Sequence, residues 1–126
     1  MQEILPLIVK MRSTYDIFVT ELESHLAALE GFVAELETMP PEKLSSGFDA
    51  HAKRLAERFH VLKGGSGFLQ LKTIASLTGK GEEWFKNGTV PARAPIDLRT
   101  ELAELVRALR DELNALQHLL KESSPT

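Results

Sequence analysis

Chemistry in this chain must rest on histidines and carboxylates, because none of its 126 residues is a cysteine. Disulfides, thiolate nucleophiles and cysteine-bound zinc or iron–sulfur sites are thereby removed. Of the four histidines, His25 falls in an apolar helical seam and is expected to be partly buried and hydrogen-bonded. His51 and His118 read as surface residues. No pair has the i, i+4 spacing plus a third ligand that a zinc site needs, and the paired Glu-x-x-His motifs of a metal-dependent bundle enzyme are absent. Thr78-Gly79-Lys80-Gly81 lacks the earlier glycine and the following Ser or Thr of a phosphate-binding P-loop.

His60 is different. Phe59 and Leu62 continue a buried stripe, and offsets of three, four and seven residues then put His60 on one outward face with Lys63, Gly64 and Gly67. That face offers an imidazole, a cation one turn on, and open space beside the ring. The chemistry it suggests is nucleophilic attack on a phosphoryl group whose charge Lys63 would meet. A helix that stops at Gly64 or Gly65 with a left-handed cap is the competing reading. It leaves unexplained why the apolar pattern returns at once with Phe68, Leu69 and Leu71. Carrying a helix through Gly64, Gly65 and Gly67 costs roughly 2–3 kcal/mol relative to alanine.

The elements that must position this face are helical. Met11, Tyr15, Phe18, Leu22, Leu29, Phe32 and Leu36, with Leu26 beside His25, form one seam that ends at Pro40-Pro41. Residues 3–12 either join this helix or form a short one of their own, with Ser13 able to cap a fresh start. A second helix, starting between Pro41 and Asp49, carries Leu44, Phe48, Leu55, Phe59 and Leu62. A third spans about Leu71 to Lys86 with Ile74, Leu77, Thr78, Trp84 and Phe85 facing inward, and stops at Asn87-Gly88. After a linker over 88–95, a fourth carries Leu98, Leu102, Leu105, Leu109, Leu113, Leu116 and Leu120. No segment alternates with period two for long enough to make a strand. Four amphipathic helices with short connections predict an all-α, antiparallel up-down four-helix bundle, with room for a short extra N-terminal helix. The chain reads as a single domain over 1–126, its core at about 13–121.

With these helices around it, His60-x-x-Lys63-Gly64 resembles the histidine-containing phosphotransfer (HPt) domains of bacterial two-component signalling. The nearest flavour is the phosphoacceptor domain of chemotaxis-type histidine kinases. The likeness runs from about Tyr15 to Leu120 and is densest from His51 to Phe85. In the chemotaxis-type domains a glutamate 22 residues past the histidine hydrogen-bonds its Nδ1, and here that position is Glu82. The resemblance thus implies His60 as phosphoacceptor, Glu82 as its orienter, Lys63 as phosphate electrostatics and Gly64 as clearance. Glu83 takes the orienting role if the third helix is rotated. Gly67, Phe68 and Arg58 are implied as partner-docking residues. Two positions depart from the family: Gln70 stands where a glycine is usual, so the turn after the second helix should differ locally. Gly79 stands where many chemotaxis-type members have a second histidine.

The resemblance further implies a donor, either a histidine kinase or a phosphorylated receiver domain, and a response-regulator receiver aspartate as acceptor. Magnesium is expected on the receiver, with no cofactor of the chain's own and nothing in it to bind ATP. A helical adaptor that no longer carries phosphate is the alternative. A net charge of −3 and a charged content of 26% fit neither a polybasic nucleic-acid binder nor a disordered chain. Ile4–Val9 is too short, and lacks a basic residue before it, for a secretory signal, so a cytoplasmic address without membrane insertion is expected. The Asn87-Gly88-Thr89 sequon then reads as a turn. Net charge hides a strong asymmetry: Asp16 to Glu42 holds seven acids and no Lys or Arg, whereas Lys53 to Lys63 holds four basic residues and one acid.

Overall fold

The computed structural model describes residues 2–86 and 94–123. The Asn87-Gly88 turn, the sequon and most of the expected linker lie outside the described residues. A 3-10 turn at Gln2–Ile4 leads into α1 (Leu5–Lys10), followed by α2 (Arg12–Thr38), α3 (Leu44–Phe68), α4 (Lys72–Phe85) and α5 (Pro95–Glu122). Residues 3–10 therefore do not continue the first long helix, which begins at Arg12. Met11, at φ −126° and ψ 35°, breaks the chain direction, and Ser13 does not act as a cap.

Proline chemistry sets two of the boundaries. Met39 is extended at ψ 139° ahead of Pro40, which ends α2, and a 3-10 turn at Pro41–Lys43 feeds α3. Pro95 opens α5 in the first turn, where its missing N–H has no intrahelical partner to lose.

Cross-helix contacts fix the directions. Tyr15 meets Leu69, His25 meets Arg58 and Phe32 meets Phe48, so α2 and α3 run antiparallel. His60 meets Glu82 while a side chain at Gly79 would touch Lys63, which makes α3 and α4 antiparallel. Arg12 pairs with Ser123 and Arg110 with Glu30, and α5 lies antiparallel to α2. With α4 also against α5, the four long helices close into the expected bundle.

The inward stripes form one core. Tyr15, Phe18, Leu22, Leu26, Leu29, Phe32 and Leu36 of α2 are buried, as are all seven leucines expected on α5. Each such side chain stabilises the fold by about 1.5–3 kcal/mol. Phe85 of α4 stacks on both Phe48 and Phe59 of α3, with ring centroids 6.0 and 6.5 Å away respectively. Trp84 departs from its expected core position: it is half-buried beneath Lys80, whose Nζ lies 5.6 Å from the ring centroid. Leu77 is likewise only partly buried. On the α2–α5 face Arg110 holds both oxygens of Glu30, at 2.7 and 3.0 Å, and reaches Glu23. That pairing raises the guanidinium's pKa and, against partial burial, lowers that of the Glu30 carboxyl.

Candidate functional site

α3 does not stop at its glycines. It runs through Gly64, Gly65 and Gly67 to Phe68, and the terminal cap falls on Leu69, whose amide donates to the Gly65 and Gly67 carbonyls. The turn that follows is tight: Gln70 N–H donates to Gly67 O at 3.1 Å and Leu71 N–H to Ser66 O at 2.8 Å. Gln70 sits at φ 59°, the single positive-φ residue other than glycine among the described residues. A side chain there costs roughly 1 kcal/mol that glycine would not. Tyr15 ties down the same end, its buried hydroxyl donating to Leu69 O at 2.8 Å. Ser66 points inward and donates within its own helix to Leu62 O at 2.7 Å.

His60 thus sits in continuous helix, with its side chain 76% exposed. Glu82 reaches it from α4: Nδ1 and Oε2 are 2.5 Å apart, and Glu82 Oε1 accepts from Lys63 Nζ at 3.4 Å. The Glu82 side chain is only 22% exposed. Partial burial pushes its carboxyl up, but the hydrogen bonds from His60 and Lys63 and their charges together hold it below the usual carboxylate value. An ionised carboxylate accepts only, so Nδ1 must carry the proton and Nε2 is left with its lone pair pointing outward.

The glycine at 79 has a local consequence. A side-chain carbon there would lie 3.6 Å from Lys63 Cε and 3.7 Å from Cδ, so the lysine stem lies across this position on its way to Glu82. Three residues, His60, Lys63 and Glu82, make the network that a second histidine would otherwise extend. Glu83 is exposed and makes none of these contacts.

Gly64 and Gly67 share the open face. A carbon added at either meets nothing within 4 Å. Phe68, 69% exposed, closes the upper end of this face, and Val61 is half exposed beside His60. Below His60 a groove of about 490 Å³ opens between α3 and the end of α4, bordered by Lys53, Ala56, Val61 and Lys86. Apolar periodicity does not announce this groove, though Lys53 stands seven residues before His60 and Lys86 four after Glu82, spacings that mark a shared face.

The basic run divides. Lys53 and Lys63 accompany His60, whereas Arg58 turns toward α2 and its Nη1 lies 3.0 Å from His25 Nδ1. His25 is half-buried as expected. His51, expected at the surface, is also half-buried, its ring 4.7 Å from that of Phe32. His118 is exposed and pairs with Glu122 at 3.0 Å. Among the described residues no group of three or more histidines and acids is placed to hold a metal ion, and no helix is long and apolar enough to cross a membrane.

Searches among curated proteins and among solved structures each return no match. A family model described as the Hpt domain matches residues 13–119.

Proposed function

Since the chain belongs to the Hpt domain family, we propose that His60 is its phosphoacceptor and that the chain relays phosphoryl groups to and from a receiver aspartate. Hpt domains are the histidine phosphotransfer modules of two-component phosphorelays. They work between histidine kinases and response-regulator receivers and have no kinase or ATP site of their own.

The observation that carries the reading is the 2.5 Å contact between His60 Nδ1 and Glu82. It selects the tautomer whose Nε2 can attack. The Nε2 lone pair forms a bond to phosphorus as the bond from phosphorus to the donor's carboxylate oxygen or nitrogen breaks, and the donor leaves with that electron pair. The Nδ1 proton stays on the ring. As the imidazole gains positive character, the Glu82 carboxylate already faces it. Lys63 supplies a further positive charge near the arriving phosphoryl oxygens. Transfer onward reverses these steps, with the receiver aspartate as nucleophile and its magnesium and acidic pocket supplied by the partner.

Docking falls to the face around His60. Gly64 and Gly67 let a partner's backbone come close, and Phe68 and Val61 offer apolar contact. Lys53 and Lys63 attract an acidic receiver, an effect that salt should weaken. Arg58 lies away from this face, on the flank of α3 turned to α2. The setting is the cytoplasm.

The test is incubation with a phosphorylated receiver domain. Wild type should acquire acid-labile, base-stable phosphate. His60→Gln should keep the helical circular-dichroism spectrum and acquire none. Label retained by the variant would refute the assignment, and an unlabelled wild type would favour the adaptor reading.

A further inference from the structure

A second polar site lies on the other side of α3. Positions 51, 54 and 58 are spaced by three and four residues, so their side chains stack along the flank of α3 that faces α2. Arg58 and His60, two positions apart, are separated by about 200° around the helix axis. His51, Arg54 and Arg58 border a cleft of about 270 Å³ whose α2 side includes Gly31, Phe32 and Glu35.

The cleft combines two kinds of surface. Its floor carries two rings, His51 and the largely buried Phe32, tilted at 48° with centroids 4.7 Å apart. A carbon added at Gly31 would meet nothing within 4 Å, so the α2 wall carries no bulk there. Its rim is cationic. Arg58 donates to His25 Nδ1, which must therefore accept as a neutral imidazole protonated on Nε2. Among the described residues neither Arg54 nor Arg58 has a carboxylate within ion-pair distance. Two guanidiniums without an acid partner, set beside the rings of His51 and Phe32, complement an oxyanion on an aromatic body.

We propose that the α2–α3 cleft binds a small aromatic oxyanion, its charged group held by Arg54 and Arg58 and its ring laid against Phe32 and His51. Glu35 is the one acid bordering the cleft, and it repels a second anionic group. The ligand therefore carries its charge at one end. Binding also reaches His25. Burial and the charge of Arg58 hold its pKa below the ordinary histidine value, with Glu21 opposing them. An Arg58 that turns to a ligand frees Nδ1 and removes a nearby cation, so His25 should titrate at higher pH when the cleft is filled.

The experiment is a two-dimensional amide NMR titration of the full chain with benzoate, phenyl phosphate, inorganic phosphate and benzyl alcohol. Saturable shifts at Gly31 and at the Arg54 and Arg58 side chains are expected with benzoate, phenyl phosphate or both. The stronger of the two identifies the oxyanion as carboxylate or phosphate. Inorganic phosphate, lacking the ring, and benzyl alcohol, lacking the charge, should bind at least about tenfold more weakly, a loss of ~1.4 kcal/mol. Arg54→Gln and Arg58→Gln should each weaken the better probe by a similar factor, and the His25 midpoint should rise on saturation. Shifts centred on Gly64 and Gly67 would place the anion at His60 instead and overturn the proposal. So would no saturable binding below about 10 mM, or affinity unchanged in both arginine variants.

Discussion

Two pairs of glycines, all in α3 and α4, do opposite things. Gly64 and Gly67 face empty space, whereas a carbon at Gly65 would lie 2.9 Å from the Phe18 ring and one at Gly81 2.6 Å from the Phe59 ring. The helix-propensity cost is the same at all four, about 1 kcal/mol each. At Gly65 and Gly81 it is offset inside the molecule, because aromatic rings occupy the space and bring α2 and α4 close to α3. At Gly64 and Gly67 nothing among the described residues offsets it. The difference separates a glycine kept for packing from one kept for something that arrives from outside.

The sharpest way to break the contrast is Gly81→Ala. Phe59 is buried and stacked on Phe85, so its ring cannot move aside. Overpacking should cost about 2 kcal/mol in chemical denaturation. A neutral result would mean that α4 can slide, and the packing half of the comparison would fail. Next, Gly64→Leu should slow transfer from a phosphorylated receiver by about tenfold, or ~1.4 kcal/mol of barrier. The melting temperature should stay level or rise. Equal transfer rates would deny that the open face serves a partner.

Gln70→Gly tests the turn that ends this segment. Relieving φ 59° should add up to about 1 kcal/mol of stability, read from the denaturation midpoint, with no change in transfer. The smallest effect concerns Glu82. Its pKa is lowered in the folded protein, so its contribution is complete above the ordinary carboxylate value of 4.5 and is lost as pH falls through the lowered one. The stability gap between wild type and Glu82→Gln should thus be flat near neutrality, under about 1 kcal/mol, and close in acid. A gap that widened in acid would contradict the pairing. The same variant should still accept phosphate, several-fold more slowly.

Much of this was legible because it is periodic. The α2 seam and the seven leucines of α5 announce buried faces by spacing alone, and so does the face shared by His60, Lys63, Gly64 and Gly67. What the spacing could not decide depended on distant partners. Local propensity favours stopping α3 at Gly64, and only the ring of Phe18 against Gly65 and the tie from Tyr15 to Leu69 show why it continues. Arg58 reads as one of a basic cluster until His25, 33 residues away, draws it to the other flank. His51 looks like a surface histidine because Phe32 is not its neighbour in sequence. Gln70 hides its backbone because a left-handed φ at a non-glycine residue follows from closing the turn between two helices, not from its own preference.

The unbroken run of α3 also has a consequence in time. His60 stands on a helix of 25 residues, pinned at its end by Tyr15 and oriented by Glu82 from the next helix. Among the described residues nothing covers its side chain, which is 76% exposed. The lids whose microsecond-to-millisecond motions limit turnover in many enzymes have no counterpart among the described residues. On the role proposed for His60, the pace of relay is then set by collision: how often a partner diffuses in, and what fraction of those arrivals present the right patch.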